Sequence, residues 1–338
     1  MKQTTLHQSI QQSTGEKQTT IVGKKKQRYR IRNWKQYNET LVNRGSIFFW
    51  IDQAAQDNWN STPTTGKRGR PKFYSDIAIE TCLTLKNVFS LRLRSVEGFV
   101  NSLFSIMKVA LVSPDYSTLS VRQGKLSVDI HPRQLHKKTN EAVHIVVDSS
   151  GAKVYGEGEW KVRQHGWGKH RTWRKFHLGI NEATGVIEAA ELTGNNVTDA
   201  DMLKPLLQQI QEPINQVSAD GAYDRRKCYD ILSKLNIRVA IPPQKNANIW
   251  RHGNRRGKPH ARDENLRMIR MIGRKQWKKE VNFHRRSLAE NTVFRFKTIF
   301  GDTIASRLFG NQRTEVLLKC KILNQMALAG MPDSYLVE

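Results

Sequence analysis

The order of strand-like and helix-like patterns in the second half of the chain constrains the fold more than any other feature. Residues 142–147, Ala-Val-His-Ile-Val-Val, form a β-branched run typical of central strands, which stops at Asp148 and a turn-forming Ser-Ser-Gly. Residues 172–192 predict two more strands around a turn from Asn181 to Gly185. These runs together predict a three-stranded antiparallel meander.

The meander is followed by alternating helices and strands. Thr198-Asp-Ala-Asp201 has the form of a capping box and predicts a helix through MLKPLLQQIQ. The strand INQVSA ends at Asp220, the helix DRRKCYDILSKLN follows, and IRVAIPP predicts another strand, which makes a βαβ unit. The residues from Gln244 to about Lys279 are basic and are predicted to be irregular.

A final helix carries one polar stripe. Phe283, Arg286, Glu290 and Lys297 fall within an arc of about 60° when each residue is placed 100° after the last. The apolar residues lie on another side of this helix. By itself the stripe fits either a solvated face with ion pairs or a functional surface, and the rest of the chain has to decide.

This element order is similar to that of a ribonuclease H-like core, which predicts an α/β fold with a mixed five-stranded sheet and flanking helices. The first and fourth strands are neighbours in such a sheet, so Asp148 and Asp220 meet, and the last helix brings Glu290 over both. Three carboxylates without a cation would repel one another, whereas two Mg²⁺ ions about 4 Å apart would neutralise them. We therefore predict these acids as catalytic metal ligands, with Mn²⁺ able to substitute.

Two motifs of this region resemble those of DDE transposases. The run DGAY from Asp220 to Tyr223 is similar to the second-acid motif D-G-x-Y, and the stripe of the last helix, F-(2)-R-(3)-E-(6)-K, is similar to the Y-(2)-R-(3)-E-(6)-K signature. Blocks such as VDSSGAKVYGEGEWKVRQHG and NNVTDADML resemble the insertion sequence five family of bacteria. The resemblance extends over roughly residues 66–332. Phe283 departs from the signature, so the role of the tyrosine hydroxyl is absent here or supplied by another group.

The resemblance implies an enzyme that binds the terminal inverted repeats of its mobile element. It implies Mg²⁺-dependent attack of water on a phosphodiester, followed by attack of the released 3′-hydroxyl on target DNA. It also implies a homodimer or higher homo-oligomer on paired ends. Two alternatives remain open from the sequence, namely a structure-selective DNA nuclease and a non-catalytic DNA-binding protein derived from a transposase.

The charge of the chain indicates a polyanionic partner. Its 338 residues carry a formal net charge of +26. Residues 1–72 and 242–286 supply 21 of these charges, and nucleic acid is the commonest partner for such a surplus. We predict that Arg286 and Lys297 bind phosphates of double-stranded DNA, with charge balancing as the alternative.

Aromatic residues and one histidine near the acids are further candidates. Tyr223 is either a phosphate contact or a packed aromatic residue. His177 and the tryptophans Trp160, Trp167 and Trp173 lie among basic residues, which suits contact with unstacked DNA bases. Packing in the sheet is the alternative for them.

The first half of the chain predicts two further parts. Residues 1–72 read as a basic arm and linker, in which Arg68 and Arg70 of an Arg-Gly-Arg-Pro run resemble an AT-hook that enters the minor groove, or else belong to a plain basic linker. Residues 73–138 predict three short helices, either a helix-turn-helix-like DNA-binding domain or a helical packing domain. The catalytic domain is predicted over 139–332, with a basic insertion at about 244–280.

Composition limits the cellular setting that we expect. The three cysteines lie far apart, which fits neither a disulfide framework nor a metal site. The chain has neither an apolar run long enough for a membrane span nor an N-terminal signal-peptide pattern. We therefore expect a cytoplasmic, nucleoid-associated protein that does not bind membranes.

Overall fold

The structure is a computed structural model that describes residues 28–61, 71–131, 141–154, 173–251 and 259–337. The strands are β1 Arg28–Ile31, β2 Val143–Val154, β3 Trp173–Asn181, β4 Ile187–Gly194, β5 Ile214–Ser218, β6 Arg238–Ala240, β7 Thr303–Ile304 and β8 Ser334–Val337. The helices are α1 Trp34–Asn43, α2 Ile47–Trp50, α3 Gln53–Asp57, α4 Asp76–Val88, α5 Leu93–Ile106, α6 Tyr116–Gln123, α7 Asp199–Leu207, α8 Arg226–Lys234, α9 Ala261–Ile272, α10 Arg274–Glu280, α11 Ser287–Phe300 and α12 Phe309–Ala329. Short 3₁₀ turns at Gly221–Tyr223 and Phe283–Arg286 precede α8 and α11.

One mixed sheet organises the second half of the chain. Its strand order is β4-β3-β2-β5-β6, and β7 pairs with the end of β2. β2, β3 and β4 are antiparallel neighbours, as the predicted meander requires, whereas β5 and β6 run parallel to β2. In the turn between β3 and β4, the Gly185 N–H donates to the carbonyl of Asn181 at 2.8 Å, and Gly185 has a φ of 70°, which glycine tolerates. The prediction of a mixed α/β fold is confirmed.

β2 is longer than the sequence predicts. The predicted turn after Asp148 is absent from this described strand, which continues to Val154. Its second half pairs with β3 as far as Lys153↔Trp173, and its last two residues pair with β7. Serine and glycine are weak strand formers, so the local sequence suggests a turn, but pairing on both sides overrides that preference. Asp148 therefore lies inside a strand.

Helices cover both faces of the sheet. On one face, Val146 of β2 and Phe176 of β3 pack in the same core as residues of α11 and α12. On the other face, Ile145 and Val147 of β2 pack with α7 and α8. Because neighbouring residues of a strand point to opposite faces, these two cores fix the side to which every β2 side chain points.

The three predicted helices of the first half are present as α4, α5 and α6. The Ser75 hydroxyl caps α4 by accepting a hydrogen bond from the Ala78 N–H at 3.1 Å. Asp115 caps α6 in the same way by accepting from the N–H groups of Ser117 and Thr118. Local sequence signals are thus sufficient to locate these helices.

Residues 28–61 differ from the basic arm that the sequence predicts. β1 pairs with β8, and Trp50, Ile51 and Trp59 are buried in one core with α4, α5 and α12. Trp59 packs edge-on against Phe104 with ring centroids 4.9 Å apart. The prediction of a basic arm is wrong for residues 28–61. Apolar side chains that stand among the cations pack into this core and order the segment. Residues 1–27 and 62–70 of the predicted arm and linker lie outside the described residues.

α12 joins the helical region to the sheet and was missed by sequence analysis. Leu318 and Ile322 belong to the helical core, whereas Val316 and Leu323 belong to the core beneath the sheet. One helix therefore contributes to both cores. The division of the chain into helical and catalytic domains remains a prediction.

The basic stretch predicted to be irregular contains two helices. α9 and α10 lie between residues 259 and 280, and Trp277 of α10 is fully buried. Arg262 of α9 is buried against Asp224, with the guanidinium Nε 2.7 Å from a carboxylate oxygen. The prediction is wrong here because long-range burial, which charge composition does not reveal, orders this stretch.

Cys82, Cys228 and Cys320 are free and buried. Within the described ranges, none of the helices has the length and apolar character that a bilayer span needs.

His131 links the segment before β2 to the sheet. Its Nε2 lies 3.0 Å from a carboxylate oxygen of Glu188 on β4, and its Nδ1 lies 3.1 Å from Asp129. The hydrogen bond to Glu188, followed by the charges of both acids, raises the pKa of His131 above its ordinary value, although burial opposes this.

We expect this histidine to make stability depend on pH. The pKa is higher in the folded chain than in the unfolded chain, where it is about 6.5. The charged ring therefore stabilises the fold below that pH, and this contribution disappears as the pH rises through the folded value. Urea unfolding at about pH 5.5 and about pH 8.5 should show that His131→Gln lowers the free energy of unfolding more at the lower pH. An equal loss at both values would contradict this assignment.

Candidate active site

Strand register brings Asp148 and Asp220 together. In the parallel pair of β2 and β5, Val146 is opposite Ser218, and each aspartate lies two residues further along. Side chains two residues apart share a face, so both aspartates are directed to the face that α11 and α12 cover. Asp220 follows the end of β5 and accepts a hydrogen bond from the Ala222 N–H at 2.9 Å. The two acids therefore lie side by side, Asp148 in the middle of β2 and Asp220 just beyond the carboxyl end of β5.

α11 and the 3₁₀ turn before it hold a third acid and an arginine over these strands. Its buried residues Ala289 and Phe296 fix the helix against the sheet, with the Phe296 ring stacked on Phe176 at a centroid distance of 4.7 Å. Arg286, at the end of the preceding 3₁₀ turn, places one guanidinium nitrogen 3.5 Å from a carboxylate oxygen of Asp148. Its other terminal nitrogen donates to Glu290 in the first turn of α11. Arg286 thus bridges an acid of the sheet and an acid of the helix.

The environment of Asp148 disfavours its charge. Burial raises the pKa of the Asp148 carboxyl above its ordinary value, and the negative charges of Asp220 and Glu290 raise it further. The Ser149 N–H and the Arg286 guanidinium act in the opposite direction. Mutual repulsion of this kind is what an added cation would relieve.

The carboxylate oxygens of Asp148, Asp220 and Glu290 suit a hard divalent cation, although the three side chains do not converge on one point. Within the part of the chain that the structure describes, no three acidic, histidine or cysteine side chains form a group that could hold a metal ion. The Arg286 guanidinium supplies the positive charge between Asp148 and Glu290 instead. The three carboxylates offer oxygen donors only, which Mg²⁺ and Mn²⁺ prefer. The Glu290 side chain is 58% exposed and pairs with Arg286 rather than with the aspartates.

Lys297 lies two turns further along α11 than Glu290. Its charge helps to lower the pKa of Asp302, after the larger effect of Lys153, so it lies toward the far end of β2. Its ammonium makes no hydrogen bond or ion pair with another described residue. The structure therefore places Lys297 on the same helix as Glu290 but apart from the carboxylates.

Tyr223 and His177, two of the predicted DNA contacts, are both buried. Tyr223 is 1% exposed and packs with α7 and α8, and its hydroxyl has no hydrogen-bond partner among the described residues. His177 is 0% exposed beneath α7, with its Nε2 2.9 Å from the Thr193 hydroxyl. Burial lowers the pKa of His177 to about 4. The burial of both side chains favours packing, the alternative to the predicted DNA contact, because the sequence predicts the helix α7 but not its placement over His177.

Arg68, Arg70, Trp160 and Trp167 lie outside the described residues. Trp173 begins β3 and is 39% exposed, with the Lys153 ammonium 5.9 Å from its ring centroid.

Sequence reasoning missed a basic cavity next to Glu290. The cavity has a volume of about 660 Å³, and Lys278, Lys279, Phe283 and His284 line it together with the site residues. The basic stretch from Gln244 to about Lys279 was the available sequence signal for this cavity, but that stretch was predicted to be irregular. The buried side chain of Trp277 holds Lys278 and Lys279 beside the site.

The sequence of the chain is similar to two family models and to a protein of a known organism. Two family models, both described as transposase DDE domains, match residues 42–157 and 139–325. An uncharacterized protein of Aquifex aeolicus (strain VF5) is 26% identical over 201 residues, which covers 54% of this chain and 59% of that protein. The chain thus spans less than two thirds of this relative's length.

Among solved structures, the chain is similar to the piggyBac transposase in a synaptic complex with hairpin DNA. The TM-score is 0.40 at 10% sequence identity, covering 86% of this chain and 74% of that one. The second family model alone spans more than half of the sequence and includes Asp148, Asp220 and Glu290. The chain therefore belongs to the transposase DDE domain family.

Proposed function

We propose that the protein is the transposase of a bacterial insertion sequence similar to the insertion sequence five family. It binds the terminal inverted repeats of its element, cleaves DNA there and joins the released 3′-ends to target DNA. The observation that carries this proposal is the register of β2 and β5, which supports Asp148 and Asp220 as one catalytic pair. The strand order supports a ribonuclease H-like core.

Asp148, Asp220 and Glu290 would hold Mg²⁺, or Mn²⁺ in its place. When bound, such ions stabilise negative charge on the phosphoryl oxygens. Arg286 can present a planar guanidinium to a phosphate beside the reacting one, and Lys297 can add a point charge further along the strand.

The remaining parts of the chain would bind and pair the element ends. The helices α4 to α6 would act as a helix-turn-helix-like reader of the repeats, and the Arg68–Arg70 run would enter a minor groove. The net charge of +26 supports a double-stranded DNA partner. Action on two ends together would require a homodimer or a higher oligomer.

The proposal is tested with linear DNA that carries the sequences flanking the gene. With Mg²⁺, we expect nicks at the element ends that leave 3′-hydroxyl groups, and joining of these ends to a second DNA. Cleavage without joining would assign a nuclease. Binding of DNA without either reaction would assign a non-catalytic protein.

Arg286 variants test the cation beside the acids. Arg286→Ala should slow single-turnover cleavage roughly 10- to 100-fold, which corresponds to the loss of a hydrogen bond to a charged group. Arg286→Lys should recover only part of the rate, because an ammonium cannot reproduce a two-pronged contact. Arg285→Ala is the matched control, since Arg285 pairs with Glu182. Full activity of Arg286→Lys would rule out a two-pronged role.

A further inference from the structure

The helix α10 carries a fixed basic face beside the proposed active site. Trp277 is fully buried in a small core with Ala240 and Val281, and its indole N–H donates to the side chain of Asn265 at 3.3 Å. This anchor fixes the orientation of the helix. The next two residues, Lys278 and Lys279, are exposed.

These lysines keep their charges available. The acid of the helix, Glu280, accepts a hydrogen bond from Gln276 at 2.7 Å. Neither Lys278 nor Lys279 forms an ion pair with any described residue. Unpaired cations held close together favour an anionic partner.

Phe283 adds an aromatic surface between the lysines and the acids. Its ring is half-buried against Trp277, with centroids 6.1 Å apart, and the Lys278 ammonium lies 5.2 Å from its centroid. The cavity of about 660 Å³ that this ring lines continues to Arg286 and Glu290. Its size is within the range of small-molecule and cofactor sites, about 300 to 1,000 Å³.

We propose that this cavity, the α10 groove, binds an unpaired segment of a DNA strand next to the reacting phosphodiester. Lys278 and Lys279 contact its phosphates and Phe283 stacks on one of its bases. Unpaired DNA fits better than duplex because stacking on an aromatic ring needs an open base face. This inference rests on the proposed function, since it assigns the groove to the substrate of that reaction.

The first test is binding without metal, by fluorescence anisotropy with labelled oligo(dT) on the full chain. Lys278→Ala/Lys279→Ala should lower affinity at least about 10-fold and reduce the slope of log affinity against log salt by about 1.4, at about 0.7 per phosphate contact. Lys234→Ala/Lys275→Ala removes the same charge from α8 and from α10 outside the groove. It should leave the salt slope almost unchanged.

The second test isolates stacking with an abasic oligonucleotide of the same length. The wild type should bind oligo(dT) roughly 5- to 100-fold more tightly than the abasic strand. Phe283→Leu should remove this preference, whereas Phe283→Tyr, which keeps an aromatic ring, should retain it. Thermal unfolding without DNA checks that the variants are folded.

Three results would overturn the inference. The first is an equal loss of affinity in the two double-lysine variants, and the second is equal binding of oligo(dT) and the abasic strand by the wild type. The third, measured with an added DNA duplex of the same length, is an equal loss of duplex and oligo(dT) affinity in Lys278→Ala/Lys279→Ala. A wild type that cleaves DNA but gives any of these results keeps the proposed function and rejects the groove. A protein that binds as expected but never cleaves keeps a single-strand binding site in the groove but rejects the proposed function, and with it the position next to a reacting phosphodiester.

Discussion

Replacing Asp148 with asparagine should abolish DNA cleavage while DNA binding persists. The change removes one negative charge but keeps the size of the side chain, and the amide oxygen can still accept the Ser149 N–H that now bonds the carboxylate at 3.0 Å. Loss of a charged metal ligand removes several kcal/mol of transition-state stabilisation, which corresponds to at least about a 10³-fold lower rate. Asp220→Asn should lower the cleavage rate by a similar factor, because the register of β2 and β5 places the two acids side by side.

Single-turnover cleavage and binding affinity have to be measured on the same preparations. Removing a negative charge near the DNA should leave affinity unchanged or slightly improve it. Asp224→Asn would be a poor control because Asp224 is buried in an ion pair, whereas Asp230→Asn removes an exposed carboxylate of α8. Cleavage by Asp148→Asn at the wild-type rate would remove this residue from the site.

Replacing Arg262 with alanine should cause a large loss of stability. The guanidinium contacts both carboxylate oxygens of Asp224, at 2.7 and 3.3 Å, and lies 3.9 Å from the ring centroid of Trp250. Without Arg262, the Asp224 charge stays buried and unpaired, which costs about 3 to 5 kcal/mol. Urea denaturation should show this loss in the free energy of unfolding.

Two variants separate the ion pair from a general effect on α9. Arg267→Ala removes a more exposed pair with Glu264 on the same helix and should cost less than about 1 kcal/mol. Arg262→Met/Asp224→Asn removes both charges and should regain part of the lost stability. Similar losses for Arg262→Ala and Arg267→Ala would show that the buried pair has no special role.

The candidate site was largely predictable because its members follow local patterns. A β-branched run precedes Asp148 and a second run precedes Asp220, and parallel pairing of these two runs places the residues that follow them side by side. The stripe of Arg286 and Glu290 follows helical spacing, although the residues before Ser287 form a 3₁₀ turn. The alternation of side chains along a strand and the repeat of a helix are patterns of a few neighbouring residues, so they can be read from a single sequence.

The features that were missed depend on distant partners. His177 has the polarity of a surface residue, and only the placement of α7 over β3 buries it. α12 shows no single apolar face because adjacent residues serve different cores, with Leu317 beneath the sheet and Leu318 in the helical region. The burial of Trp59 and Trp277 was likewise not predicted, because polar and charged residues surround them in the sequence. Packing against residues distant in the sequence buries both side chains.

The most direct test of the account is the metal dependence of Asp220→Cys. Thiolates bind transition-metal ions such as Mn²⁺ better than Mg²⁺, whereas carboxylates serve both. If Asp220 is a metal ligand, cleavage by Asp220→Cys should be lost in Mg²⁺ and partly restored in Mn²⁺, and Asp220→Ser should stay inactive in both. Two results would contradict the claim that this aspartate holds the metal at the site of DNA cleavage. One is cleavage by Asp220→Cys in Mg²⁺ at the wild-type rate, and the other is restoration of Asp220→Ser by Mn²⁺ to the same rate as Asp220→Cys.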